Sequence, residues 1–253
     1  MRLSAGFVRS EGTENGSSTA GVSTIRFFPS HLVGDRNEQK RLVKPIVAAG
    51  EPRYGDGAML NDRSSILSLL ETRRSGKPRE LVGSGPSPEE MERILTIAAR
   101  VPDHGKLHPW RFVTVAGDQR DSFAALLQGV LAEENPGATP AHFEAEDEFA
   151  HYAGQLVVLI SAPVENHKIP VWEQELSCGT VGMNLLLAAH ALGYVGGWVT
   201  GWRAYSLKVN AAFCGSRERI AGFIFIGQAG REMEERERPD LSAIWSPWQP
   251  PSP

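Results

Sequence analysis

Three short stretches of this 253-residue chain carry the residue types best suited to chemistry. The first is Arg73-Arg74-Ser75, followed by Gly76 and Pro78. Two guanidiniums beside a hydroxyl and a glycine make a forked donor site for a phosphate. The same residues also suit a cationic last turn that satisfies a helix dipole. The second stretch is Val101-Pro102-Asp103-His104-Gly105-Lys106-Leu107-His108-Pro109-Trp110. His104 and His108 are four apart, the spacing of a metal pair on a helix, but Gly105 and Pro109 argue against a helix there. His104 therefore reads as a donor to a bound polar ring or as a structural histidine. The third is Tyr194-Val195-Gly196-Gly197-Trp198-Val199-Thr200-Gly201-Trp202, a strand whose glycines allow another backbone or a flat ligand to come close.

These stretches need elements to position them. Trp172 to Gly193 reads as one long helix, with Glu173 and Glu175 in the first turn and Gly193 at the left-handed stop. From Leu176 onward it is apolar on almost every face, so it belongs in a large core or a subunit interface. Asn184 and His190 interrupt it too often for a bilayer span. Ile66, Leu69 and Leu70 mark a short helix with Asp62 or Ser64 available as cap, ending at Arg73. Ser87-Pro88-Glu89-Glu90 has the form of a capping box, opening a helix with Met91, Ile94, Leu95 and Ala98 on its apolar face and Arg100 at its end. Arg111–Val115, Gln155–Ser161 and Gly222–Gly227 read as strands, and Asp118–Ala132 as an amphipathic helix. The polar, acidic segment 133–150 is expected to be a surface excursion or lid, with Glu144 to Glu148 a solvated face. The tail from Pro239 is expected to lie on the surface or on a partner subunit.

With 41% hydrophobic and 22% charged residues, the composition is that of an ordinary globular chain with one well-buried domain. A net charge of −4 with no basic face or tail argues against nucleic acid and membrane surfaces as partners. Cys178 and Cys214 make neither a disulfide framework nor a metal cluster, and they fit a reducing, cytoplasmic setting. Residues 1–58 are rich in Gly, Ser, Thr, Asn and charge and lack a continuous apolar run, so they read as a disordered leader or as sequence upstream of a start at Met59. The organised domain is expected over 59–253.

Taken together, Arg73-Arg74-Ser75, Arg100 through His104 with His108-Pro109-Trp110, Glu165 to Glu175, and Gly197 to Gly201 resemble the nitroreductase family, in particular its small bacterial branch. The resemblance covers roughly Ser65 to Gly230. It implies an α/β (α+β) sandwich, a mixed sheet flanked by helices, in an intertwined homodimer with FMN at the interface. It implies that Arg73, Arg74 and Ser75 hold the FMN phosphate and ribityl chain, and that Arg100 and His104 also touch the flavin. Trp198, Val199 and Thr200 would run along its ring, and Arg231 would be a second phosphate-binding cation. The implied activity passes a hydride from NADH or NADPH through FMN to a nitroaromatic, quinone or similar acceptor in a ping-pong cycle. Alternatives on the same fold are another acceptor chemistry (dehalogenation, enone reduction, oxygen-dependent flavin chemistry) or a non-catalytic flavin-binding protein. Relatives usually carry Gln where this chain has His108, and often Arg where it has Val199. No Gly-x-Gly-x-x-Gly fingerprint is present, so the nicotinamide substrate would visit the flavin without a Rossmann domain. No general acid stands out; water or His104 is available.

Overall fold

The computed structural model describes residues 59–251, so the expectation for residues 1–58 lies outside the described residues. The chain runs through α1 (Ile66–Thr72), β1 (Leu81–Val82), α2 (Pro88–Ala98), β2 (Trp110–Val115), α3 (Arg120–Glu134), α4 (Pro140–Ala150), β3 (Gln155–Ser161), α5 (Val171–Ala191), β4 (Val195–Val199), α6 (Trp202–Tyr205), α7 (Leu207–Phe213), β5 (Arg219–Ala229) and α8 (Leu241–Ile244).

The sheet is built around β5 and β3. The long β5 pairs with β3 on one side and also with β4 and β1, while β2 pairs with β3, and each of these pairings is antiparallel. Val158 of β3 sits opposite both Val113 and Phe223, which fixes the middle of the sheet. Side chains alternate across it, as the two-residue period of a strand requires. Leu156, Val158, Ile160, Phe223 and Phe225 face a core shared with α3, α4 and α7. Val157, Leu159, Ile224 and Ile226 face the opposite core, shared with α2 and α5. Helices on both faces explain why β3 and β5 are continuously apolar although the sheet is antiparallel. The result is the α+β sandwich expected from the sequence.

Local chemistry accounts for most element boundaries. Ser87 accepts from the Glu90 N–H while the Glu90 carboxylate accepts from the Ser87 N–H, the reciprocal cap read in the sequence. Gly193, at φ +94°, ends α5 in the left-handed region open to glycine. The buried Gln174 of α5 ties down the incoming loop: it accepts from the Val164 N–H and donates to the Val164 and Ile169 carbonyls.

Three expectations need correction. Ser65, rather than Asp62 or Ser64, caps α1 by accepting from the Ser68 N–H, because Asp62 is already used by Ser64. Only Leu69 of its expected apolar face is buried; Ile66 and Leu70 are exposed. Segment 133–150 is no irregular excursion, because Pro140–Ala150 forms α4 and Glu146, in the middle of the acidic run, is buried. Within the described residues no helix is long and apolar enough to cross a membrane.

Candidate functional site

The chain leaves α1 at Arg73 and turns past the C-terminal half of α5. Asn61 clamps this turn, accepting from the Arg74 N–H at 2.8 Å and donating to the Arg74 carbonyl at 3.1 Å. The Arg73 guanidinium donates to Ser75 Oγ at 3.1 Å, and Arg74 donates to the Ser75 and Glu234 carbonyls. Arg238, from the charged run after β5, reaches back to donate to the Arg73 carbonyl and to Glu235. Burial, then the charges of Arg238, Arg236 and Arg74, hold Arg73 below the usual arginine range, while Glu235 opposes them. Four guanidiniums thus converge on one turn. An oxyanion bound there would relieve the repulsion.

Arg236 and Arg238, in the charged run after Gly230, were not singled out in the sequence, where Arg231 was the expected second cation. Arg231 instead shares Glu80 with Lys77: both approach Oε1, at 2.8 and 3.3 Å. It lines a cavity of about 80 Å³ together with Arg74, Ser75 and Lys77, adjoining the arginine turn.

Ser75, Gly76 and Lys77 also line a second, larger cavity of about 480 Å³, whose other walls include Trp198, Val199, Thr200 and Gly201. Two of the three sequence stretches therefore meet around one cleft. The join is a run of backbone bonds: Gly76 N–H donates to the Gly196 carbonyl, and Gly196 N–H donates to His190 Nε2. A Cβ on Gly197 would lie 2.5 Å from the Gly76 carbonyl oxygen, so glycine is what lets the two segments approach. Trp198 packs between α5 and β5, over Gly182 and Gly222, and its indole N–H donates to the Ala221 carbonyl at 3.1 Å.

His190 is fully buried beneath this join, and burial, with Arg73 next, lowers its pKa to about 4. Because Nε2 accepts, the proton sits on Nδ1, which has no hydrogen-bond partner among the described residues. Past Gly201, held at φ +78°, Trp202 and Arg203 both bind the buried Glu146 of α4. The Arg203 guanidinium stacks on Phe149 with 3.9 Å to the ring centroid, and both residues line the cleft with Tyr152. Glu146 thereby braces the segment that follows the flat wall.

The third stretch lies elsewhere in the chain. Asp103 accepts from the Leu107 and His108 N–H groups and folds residues 103–108 into a tight turn with Gly105 at φ +76°. His104 Nδ1 meets Glu173 in the first turn of α5 at 2.8 Å, and His108 packs edge-on to Trp110. Arg100 is exposed, its carbonyl accepting from Asn184. Neither Arg100 nor His104 is among the residues lining the two cavities. Along α5, Glu173 is roughly 25 Å from His190 at 1.5 Å per residue. Among the described residues no group of three or more His, Cys, Asp or Glu is placed to hold a metal.

Residues 70–228 match the family model described as the nitroreductase family. The chain is 34% identical over 163 residues to the Escherichia coli (strain K12) protein YdjA, provisionally named an NAD(P)H nitroreductase, covering 64% of this chain and 86% of that one. It is 36% identical over 174 residues to a Haemophilus influenzae protein of the same provisional name, covering 68% and 91%. Among solved structures, a nitroreductase-like family protein from Bacillus cereus superposes with a TM-score of 0.63 at 19% identity, covering 72% of this chain and 95% of that one. A variant of the FMN and NADPH-dependent nitroreductase NfnB from sphigopyxis sp. strain HMH superposes at 0.58 and 18% identity, covering 73% and 99%.

Proposed function

This chain belongs to the nitroreductase family of oxidoreductases, and on that premise we propose that it is an FMN-dependent enzyme oxidising NADH or NADPH at the expense of a nitroaromatic, quinone or similar electron-poor acceptor. The observation that carries the reading is the continuity of two unlike surfaces through Ser75: a turn crowded with guanidiniums on one side, a flat cleft walled by Trp198, Val199 and Thr200 on the other. A planar ring joined to a phosphate by a short chain matches that pairing of surfaces.

In this reading Arg73, Arg74, Arg236 and Arg238 hold the phosphate, with Arg231 beside them at the smaller cavity. Ser75 binds along the connecting chain, and Lys77 stands at the edge of the ring. The backbone of Trp198 to Thr200 keeps the ring flat, because the glycines around it leave room and Glu146 holds the next turn in place. Bound FMN would supply two-electron transfer between the two substrates. A cation near the ring stabilises the negative charge of its reduced form. Within one chain Lys77 is in position for this task, and Arg100 and His104 are not.

That division supports a homodimer in which a second copy brings Arg100 and His104 to the cleft. Glu173, bonded to His104, would then orient the imidazole from the far end of its own α5. The apolar side chains left open on α5 and in the tail, Trp172, Leu176, Trp245 and Trp248, suit the same arrangement. We place the protein in the cytoplasm, in keeping with its two free cysteines.

Reconstitution tests the reading. The protein should take up one FMN per chain, turn yellow, and oxidise NADH or NADPH only when an acceptor is added. A colourless product would refute the site. A yellow protein without acceptor-dependent turnover would leave flavin binding and refute the enzyme.

A further inference from the structure

One wall of the cleft has more built into it than holding a flavin requires. Arg203 is mostly buried, its side chain 16% exposed. It is pinned from behind by Glu146, which accepts from Nε and Nη2, and from below by the ring of Phe149. Glu146 is itself secured by the Trp202 indole N–H at 3.2 Å. Nη1 finds no partner among the described residues. A guanidinium fixed in this way loses little rotamer freedom when it forms a further hydrogen bond.

The charge of the cleft has one sign. Among the described residues no carboxylate lines it, whereas Arg203, Lys77 and Arg79 do. Of its two exposed cations, Lys77 and Arg79 both approach Oε1 of Glu80, at 3.3 and 3.8 Å, so the two share a single carboxylate oxygen. Tyr152 supplies a partly open ring beside this charge, while Phe149 is buried beneath the Arg203 guanidinium.

We propose that the cleft prefers acceptors that are both flat and anionic, electron-poor aromatic carboxylates, and that Arg203 is the residue setting this preference. The aromatic ring packs against Tyr152, the carboxylate takes the free edge of Arg203, and Arg79 and Lys77 draw the anion in. For a nitrobenzoate the overall change is balanced: NAD(P)H gives a hydride, solvent a proton, and the nitro group becomes nitroso with loss of one water. The inference rests on the flavin reading of the same cleft.

The test compares 4-nitrobenzoate with the neutral, similarly sized 4-nitrobenzyl alcohol on FMN-loaded protein, and separately measures binding of redox-inert benzoate by calorimetry. Wild type should favour the acid by about tenfold in kcat/KM, the range of one well-placed charged contact. Changing Arg203→Gln alone would strand a buried carboxylate, so the pair Glu146→Gln with Arg203→Gln is used. It should bring the ratio to near one through KM and weaken benzoate by a similar factor, both measured on variant protein reloaded with FMN. Arg79→Gln, at an exposed position, should cut the ratio by roughly twofold to threefold and lessen its dependence on salt. A wild-type ratio at or below one overturns the proposal. So does a ratio that survives the paired change, or one that survives Arg79→Gln if the paired variant does not fold. Protein that takes up no FMN fails the functional reading before any acceptor is added, which separates the two failures.

Discussion

Trp198 is wedged between two glycines, and Gly222→Ala tests how much depends on that wedge. An alanine Cβ at 222 would fall 1.9 Å from the indole Nε1 and 2.4 Å from Cδ1. The ring has nowhere to retreat, because Gly182 of α5 closes the other side, where a Cβ would already lie 2.4 Å from the six-membered ring. Overpacking of this kind costs about 1–3 kcal/mol. Losing the 3.1 Å bond from the indole N–H to the Ala221 carbonyl adds about 1 kcal/mol. Replacing glycine in a strand returns about 0.5–1 kcal/mol, leaving a net loss of roughly 1–3.5 kcal/mol. At about 2–4 °C per kcal/mol for a domain of this size, Tm should fall by roughly 2–14 °C. Gly129→Ala is the matching control. It lies mid-helix in α3 with nothing within 4 Å of its would-be Cβ, so there the same change should stabilise by about 1 kcal/mol. Because Trp198 leads directly into Val199 and Thr200, Gly222→Ala should also weaken FMN binding in a fluorescence titration. Equal Tm shifts for the two variants, with FMN affinity unchanged, would show that no such wedge exists.

Other changes probe the remaining parts of the site. Arg73→Ala should release FMN, read as loss of the flavin absorbance on gel filtration, while circular dichroism still reports a folded chain; retained flavin would remove Arg73 from the phosphate site. Glu146→Ala should destabilise by about 3 kcal/mol in urea unfolding, since it strands a mostly buried Arg203 and frees the Trp202 indole; a loss under about 1 kcal/mol would mean that water compensates the pair. His190 should impose a pH dependence. Its native pKa lies near 4 against an ordinary 6.5, so between those values the unfolded chain takes a proton that the folded chain refuses. Its contribution is therefore intact above about pH 6.5 and fades by roughly 3 kcal/mol as pH falls to 4. His190→Gln should flatten the slope of stability over that window, and an unchanged slope would assign it to other groups.

What the sequence disclosed was whatever is decided by neighbours in the chain. The Ser87 cap, the stop at Gly193 and the apolar runs of β3 and β5 all follow from residues within a few positions of one another. So does the close approach at Gly196 and Gly197, which signals a flat partner without naming it. The Glu146 pairing was invisible because its surroundings, Glu144 through Glu148, carry the composition of a solvated face. Its burial depends on Arg203 and Trp202, more than fifty residues later. Arg236 and Arg238 were hidden for the same reason, since nothing local distinguishes these two arginines from the rest of the charged run Arg231 to Arg238. α1 shows the converse: its apolar spacing is clear, yet Ile66 and Leu70 find nothing to cover them among the described residues.

The uncovered side chains and the divided site point to one cause. Trp172, Leu176, Gly179 and Met183 recur at i, i+4, i+7 and i+11, one stripe along α5. Trp172 and Leu176 are about 60% exposed, and a Cβ on Gly179 would meet nothing within 4 Å. A helix does not leave such a stripe to water when its other face already fills a core, and a bare glycine within it lets a second helix come close. If two copies of α5 meet there about a two-fold axis, each stripe faces its own image. Leu176→Glu then removes two buried leucines and brings two carboxylates together. At about 1.5–3 kcal/mol for each leucine, the dimer should weaken by at least 3 kcal/mol, about a hundredfold. Sedimentation should show a single folded subunit, and the flavin should leave with the partner, because in the proposed dimer Arg100 and His104 would be supplied to the cleft by the second chain. A Leu176→Glu protein that stays dimeric, or a monomer that keeps its FMN, would refute the two-chain site.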